Sequence, residues 1–286
     1  MTRPSWQDFG TFDESAYPEL WDGVVGAWCP SLGPTGLRLH DHSRRNNWGT
    51  LTNMDPATDW VGSGGQYALD FDGVNDYVGH GNVLNDVVVG TSAQFTISQW
   101  INVRANVNHF SCSKLDSSLT QRQFFLRAND DGLDFVWYGA LDATSFRVIR
   151  AAYTFTAAGW AHIAATFHAG IADADQKVSL FINGAKKSLT IPFTAGSPVS
   201  IQSGTSQFLL GGAFTSGVIT APFSGLISET VVHRRVLGDN EIRELYQLGR
   251  GGMFQRRRVR RAYVSEAAVK SYLFVNRGQV IGGGTL

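Results

Sequence analysis

The chain has 286 residues, of which 43% are hydrophobic, 12% aromatic and only 17% charged, and its 24 basic residues balance 24 acidic ones. This excludes an intrinsically disordered chain, which needs high net charge and few aromatics, and it allows a sizeable core. No apolar run reaches the ~18 residues of a membrane-spanning helix, so none is expected.

Residues 1–20 read as an arm, broken by Pro4 and Pro18. They lack a continuous apolar stretch, so a secretory leader is not expected. Cys29 and Cys112 read as two buried thiols, with one disulfide as the alternative; neither has a CxxC partner, which argues against zinc.

From residue 21 to about 236 the pattern alternates in the β manner. Strands are predicted over 66–71 (QYALDF), 95–103 (FTISQWINV), 124–126, 133–138, 160–168 (WAHIAATFH), 178–182 (VSLFI), 208–212 and 223–232. In the second, Phe95, Ile97 and Gln99 share one face and Trp100 takes the other. The turn after Phe71 needs residues that tolerate positive φ, a role assigned to Gly73 and Asn75. Asp131-Gly132 and Asn183-Gly184 are hairpin turns. Mid-strand Trp100 and Trp160 are expected to pack. Strands in such succession, with no long helical pattern between them, predict an antiparallel sandwich rather than a parallel α/β sheet. One helix follows, with Gly238 or Asp239 as its cap, an Ile242, Leu245, Tyr246 stripe, and Gly249 at its end.

Residues 250–286 form a basic C-terminal arm. Arg250, Arg256, Arg257, Arg258, Arg260 and Arg261 occur there without an acid between them. Without those six, 18 basic residues face 24 acidic ones, so a body of net charge −6 carries a basic end. Residues 271–281 read as two short β segments, which are not stable alone and must pack on something.

The ordered series GVVGAWCPSLGPTGLRLHDHSRRNNWGTLTN, ALDFDGVNDYVGHGN, FTISQWI, WAHIAATF, VSLFINGAKK, FLLGG and FSGLISETVVHRRVLGDNEIRELYQLG resembles the laminin-G-like, concanavalin A-like lectin-glucanase jelly-roll family. It covers roughly residues 21–249. The resemblance implies an all-β fold of two antiparallel sheets with one short C-terminal helix and extended arms. It also implies a structural role for Arg234-Arg235. The Gly-Gly-Met-Phe-Gln-Arg-rich ending on such a body is similar to proteins of tailed bacteriophages and aquatic bacteria.

The same fold hosts glycoside hydrolases, whose retaining members carry E-x-D-x-E on a strand, two carboxylates on one face. Here Glu229 is the only glutamate on a predicted strand, and its i±2 neighbours are Ile227 and Val231. The cluster Asp130, Asp131, Asp134 reads as hairpin chemistry. No G-x-S-x-G, HExxH or P-loop occurs, so no enzyme is expected. Calcium is the ion the resemblance implies. Its candidate ligands are Asp41, Ser43 and Asn46 or Asn47 in one loop, and Asp72, Asn75 and Asp76 in another. His40-x-His42 is a weaker metal candidate without a third ligand. Glycan binding is assigned to Trp137 and Tyr138. Arg256, Arg257, Arg258, Arg260 and Arg261 are assigned to assembly contacts. The expected protein is a non-catalytic, virion-surface structural component of capsid-decoration or fibre type. Its expected partners are other virion subunits or copies of itself, and host-surface polysaccharide; nucleic acid is not expected. The alternative is a carbohydrate-binding module of an extracellular protein, and after it a glycoside hydrolase of the same fold.

Overall fold

The computed structural model describes residues 16–104, 108–116, 121–155 and 159–254. The strands, in chain order, are β1 (Val24–Trp28), β2 (Arg38–Leu39), β3 (Gly49–Thr52), β4 (Trp60–Ser63), β5 (Gln66–Asp72), β6 (Tyr77–Gly79), β7 (Gln94–Val103), β8 (His109–Asp116), β9 (Gln121–Asn129), β10 (Gly132–Tyr138), β11 (Phe146–Ala152), β12 (Trp160–His168), β13 (Val178–Ile182), β14 (Ala185–Lys186), β15 (Leu189–Ala195), β16 (Phe208–Leu210), β17 (Ala213–Thr215), β18 (Val218–Thr220) and β19 (Ser224–His233). The helices are α1 (Pro18–Trp21), α2 (Asn85–Val88) and α3 (Asp239–Leu248).

The strands form two sheets. The smaller runs β14-β13-β12-β7-β19-β5-β4, with β1 also on β19; the larger runs β15-β11-β10-β9-β8-β16-β6-β3-β2, with the β17–β18 hairpin beside β8. Among the described residues every strand pairing is antiparallel except a single parallel bridge between Phe214 and Asp116. The expected sandwich is the observed fold.

One large cluster fills the space between the sheets. Phe95, Ile97 and Ile101 of β7 meet Phe124 and Leu126 of β9 and Phe135 of β10, all with no exposed surface. Gln99 also points inward. It is satisfied by Ser111 Oγ, which donates to its Oε1 (2.8 Å), and by Thr230 Oγ1, which accepts from its Nε2 (3.0 Å). Both thiols are free and buried.

A second cluster covers the outer face of the smaller sheet. Leu20 of α1, Ile242 and Leu245 of α3, and Met253 and Phe254 pack there on Ala164, Phe181 and Val231. Trp100 lies half-buried in this layer, stacked on Tyr246 of α3 at 5.8 Å rather than in the central core. Arg235 ties α1 to α3: it donates to the Glu19 carbonyl and to both oxygens of Glu241. Arg250, grouped with the basic arm in the sequence, lies over the Trp160 ring at 4.1 Å and donates to the Ser63 carbonyl. The packed body thus includes residues up to Phe254. Within the turn after β5, Gly73 takes a positive φ of 81° and Asn75 does not. Asn183 and Gly184 do (53° and 73°), as an Asn-Gly hairpin requires.

Candidate functional site: the outer face of the larger sheet

Among the described residues, α1 and α3 cover the smaller sheet and no helix covers the outer face of the larger one. The register lays one unbroken cross-strand row over that face. Arg38 pairs with Thr50, Thr50 with Gly79, Gly79 with Leu209, and Leu209 with Ser113. Ser113 then pairs with Phe125, Phe125 with Val136, Val136 with Val148, and Val148 with Phe193. Side chains opposite one another on a sheet share a face, so the row crosses nine strands.

The row beside it is ionic. Arg127 stands opposite Asp134, and Asp134 opposite Arg150. The Asp134 carboxylate has no exposed surface and accepts from Arg127 Nη2 (2.5 Å), Asn129 Nδ2 (2.7 Å), Arg150 Nε (2.6 Å) and Arg150 Nη2 (2.9 Å). Asp131 holds the remaining end of Arg150. A carboxylate removed from water needs such saturation. The acidic cluster expected to serve only the hairpin turn is therefore split: Asn129 shapes the turn, accepting from the Asp131 and Gly132 amides, while Asp134 organises two arginines.

Aromatic rings stand in and beside these rows, Phe110 opposite Arg127, Phe125 opposite Val136 and Tyr138 opposite Phe146. Phe110 stacks on Phe125 at 4.3 Å, Tyr138 lies 5.7 Å from Phe146, and Arg127 sits over Phe125 at 5.5 Å. Partial burial raises the Tyr138 hydroxyl above its ordinary value, against the nearby Arg122 and Arg127 cations. Beyond Tyr138 the sheet opens into a groove of ≈ 440 Å³ lined by Gln121, Gly139, Ala140, Leu141, Asp142 and Gln202. Flat rings, planar cations and amides on a rigid sheet are the groups that bind a polyhydroxylated ring through its C–H face and its hydroxyls.

The two residues assigned to glycan binding separate. Tyr138 is on this face. Trp137 points the opposite way and has no exposed surface, with Phe167 edge-on at 5.1 Å. It cannot stack on a ligand, because consecutive strand residues point to opposite faces.

The first calcium loop does not fit the ion. Asp41 accepts Ala27 N and Ser43 N on Oδ1 (2.9 Å each), and Ser43 Oγ (2.8 Å) and Asn47 N (2.9 Å) on Oδ2. Four donors use the four lone-pair positions of a carboxylate. Asn46 is exposed, in the left-handed region at φ 56°. In the second loop Asp72 Oδ1 accepts the Val74 and Asn75 amides, and Asp76 Oδ2 accepts the Asp72 amide. These are turn bonds. Among the described residues no three His, Cys, Asp or Glu side chains are grouped to hold a metal. The arginines from Arg256 to Arg261 lie outside the described residues.

Glu229 is buried under α3 on the other sheet. Ser31 Oγ donates to it and Cys29 Sγ lies 3.7 Å away. Burial raises the Glu229 carboxyl, and burial together with Glu229 raises the Cys29 thiol well above 9. A thiol shifted upward is the reverse of an activated thiolate nucleophile.

A family model described as the concanavalin A-like lectin/glucanases superfamily, of laminin-G type, matches residues 72–243. The chain belongs to that superfamily. No curated protein matches it. Among solved structures it is similar to domain 4 of AbnA, a GH43 extracellular arabinanase from Geobacillus stearothermophilus, determined in complex with arabinotriose. The identity is 17% and the TM-score 0.57, over 78% of this chain and 98% of that one. It is also similar to the binding domain of botulinum neurotoxin serotype D/C (12% identity, TM-score 0.55, 80% of this chain and 52% of that one). A third is the binding domain of Paraclostridial Mosquitocidal Protein 1 (16%, TM-score 0.51, 79% and 52%). At these identities the likeness is one of fold.

The residues that sequence reading missed on the larger sheet are Phe110, Arg122, Arg127, Phe146 and Arg150. Their signal was the i, i+2 spacing of Phe125 with Arg127 and of Asp134 with Val136 and Tyr138, which marks a shared face but not its chemistry.

Proposed function

We propose that this chain is a non-catalytic carbohydrate-binding domain that takes glycan on the outer face of its larger sheet. The observation that carries the reading is that the partly exposed rings of Phe110, Tyr138 and Phe146 stand beside Arg127 and Arg150 on the face that the described helices leave uncovered. Family membership and the fold shared with the arabinotriose-bound AbnA domain support it. The test is a glycan array with the full chain and with Tyr138→Ala. Binding that weakens at least tenfold in the variant, with an unchanged melting temperature, is expected. A flat array, or binding indifferent to Tyr138, would refute the site.

A second reading adds a location: the same domain displayed on a virus particle, its ends making contacts with neighbouring subunits or copies of itself. What favours it is the acid-free arginine run Arg256, Arg257, Arg258, Arg260 and Arg261 beside a body of net negative charge. Light scattering of the full chain against a truncation after Phe254 tests the assembly role. Monomers from the truncated chain and oligomers from the full one are expected; equal masses would remove that support.

A further inference from the structure

The far edge of the same sheet face carries features that the Tyr138 region does not explain. One step beyond the β2–β3 ladder, His40 stacks on Trp48 with ring centroids 5.0 Å apart and planes at 17°. Arg38 lies 5.5 Å over the same indole. Trp48 nevertheless keeps 42% of its surface exposed. An exposed tryptophan is a large apolar surface held in water, and it invites a flat apolar partner.

The loop that presents it is tied down by hydrogen bonds. Asp41 pins it through the four hydrogen bonds above, and Arg45 is clamped to Asp86 at 2.7 Å. Within the loop the surface charges are basic, Arg45 being paired with Asp86 outside it. Between Leu37 and Trp48 stand Arg38, Arg44 and Arg45 with two histidines, and the lone acid, Asp41, is buried. Arg44 is exposed. On a chain whose body is otherwise net acidic, this is a local basic patch around an exposed ring. Behind His40 lies an open pocket of ≈ 230 Å³, walled by Leu32, Leu39, Trp60 and His42. Trp48 lies about five strand spacings from Tyr138 along the sheet order, roughly 24 Å at the usual interstrand distance.

We propose that this edge is a second glycan subsite, specific for acidic sugars. Trp48 stacks on the pyranose ring, and Arg38 beside the same indole meets its carboxylate or sulfate. Charge complementarity selects the occupant: a planar guanidinium beside an indole favours an anionic ring over a neutral one. The inference rests on the carbohydrate-binding reading and deepens it by naming the sugar class.

The experiment is calorimetric titration of the full chain with a galacturonic acid oligomer and with sulfated dextran, using neutral dextran and oligothymidylate as references. Trp48→Ala, Arg38→Ala and Tyr138→Ala are compared, each checked by thermal unfolding; Trp48 and Arg38 are exposed, so both variants should fold. The expected result is binding to at least one of the two acidic sugars. It should weaken about tenfold or more in Trp48→Ala, and Arg38→Ala should lower the salt dependence. Which acidic probe binds distinguishes carboxylate from sulfate recognition. Equal affinity for neutral dextran, or tighter binding of oligothymidylate, would overturn the proposal. Loss in Tyr138→Ala with no loss in Trp48→Ala would overturn it while leaving the central site standing. Loss in Trp48→Ala alone would do the reverse.

Discussion

Arg150 grips Asp134 with two parallel hydrogen bonds, Nε to Oδ1 at 2.6 Å and Nη2 to Oδ2 at 2.9 Å, across adjacent strands of the larger sheet. The carboxylate has no solvent exposure, while Asp131, which binds the same guanidinium, is 71% exposed. Removing the buried partner should therefore cost far more than removing the exposed one. Asp134→Asn is expected to destabilise the fold by about 3–5 kcal/mol, as when a buried ion pair loses one member. Asp131→Asn should cost about 0–1 kcal/mol. Chemical denaturation of the two variants checks the contrast.

Trp137 and Tyr138 are neighbours with opposite consequences. Trp137→Ala opens a core cavity and should cost about 3–5 kcal/mol. Tyr138→Ala should leave the melting temperature nearly unchanged and lower glycan affinity. If the two variants lost the same stability, the assignment of faces on β10 would be wrong.

Three buried histidines make the fold acid-labile. Burial holds His80 and His162 down to about 3 and His233 to about 4, against an ordinary value of 6.5. His80 Nε2, His162 Nδ1 and His233 Nδ1 have no hydrogen-bond partner to receive a second proton. Protonation thus occurs preferentially in the unfolded chain. The stability they contribute is complete above pH 6.5 and is lost as pH falls toward 3. Asp76 acts in the opposite sense. Burial, with Asp72, Asp59 and Asp70 nearby, raises it from 3.8 to about 6. Its contribution is therefore present below pH 3.8 and lost as pH rises through 6. Denaturant midpoints between pH 7.5 and 4 should fall with acid. His162→Gln should flatten that slope and Asp76→Asn should steepen it.

The segment after α3 belongs to the body. Phe254 has no exposed surface and meets Trp21 edge-on at 5.3 Å, and the Arg250 carbonyl accepts from Gln66 Nε2 at 2.7 Å. Truncation after Gly249 should lower the melting temperature markedly, whereas truncation after Phe254 should not. Phe254→Ala alone should cost about 3–5 kcal/mol. Differential scanning calorimetry of the three chains separates packing from any role of the basic end.

Local chemistry made much of the fold legible in the amino-acid order. Alternation located β7, β12 and β13, Asn183-Gly184 marked its hairpin, and Gly238 to Gly249 bounded α3, because each signal lies within a few residues along the chain. The site was less legible. In LDFVWY both alternate sets, Phe135 with Trp137 and Val136 with Tyr138, contain large apolar side chains. A period of two says which residues share a face, not which face is the core. That choice was made when the two sheets met, leaving Trp137 inside and Tyr138 outside. Pairing likewise brought Arg127 and Arg150, 23 positions apart in the sequence, onto one carboxylate. Asp41 shows the same division: its sequence fits a cation ligand, but folding surrounded it with four donors. Strand positions and turn chemistry are local and readable, whereas the partner of a buried charge is decided only by which distant strands come to lie side by side.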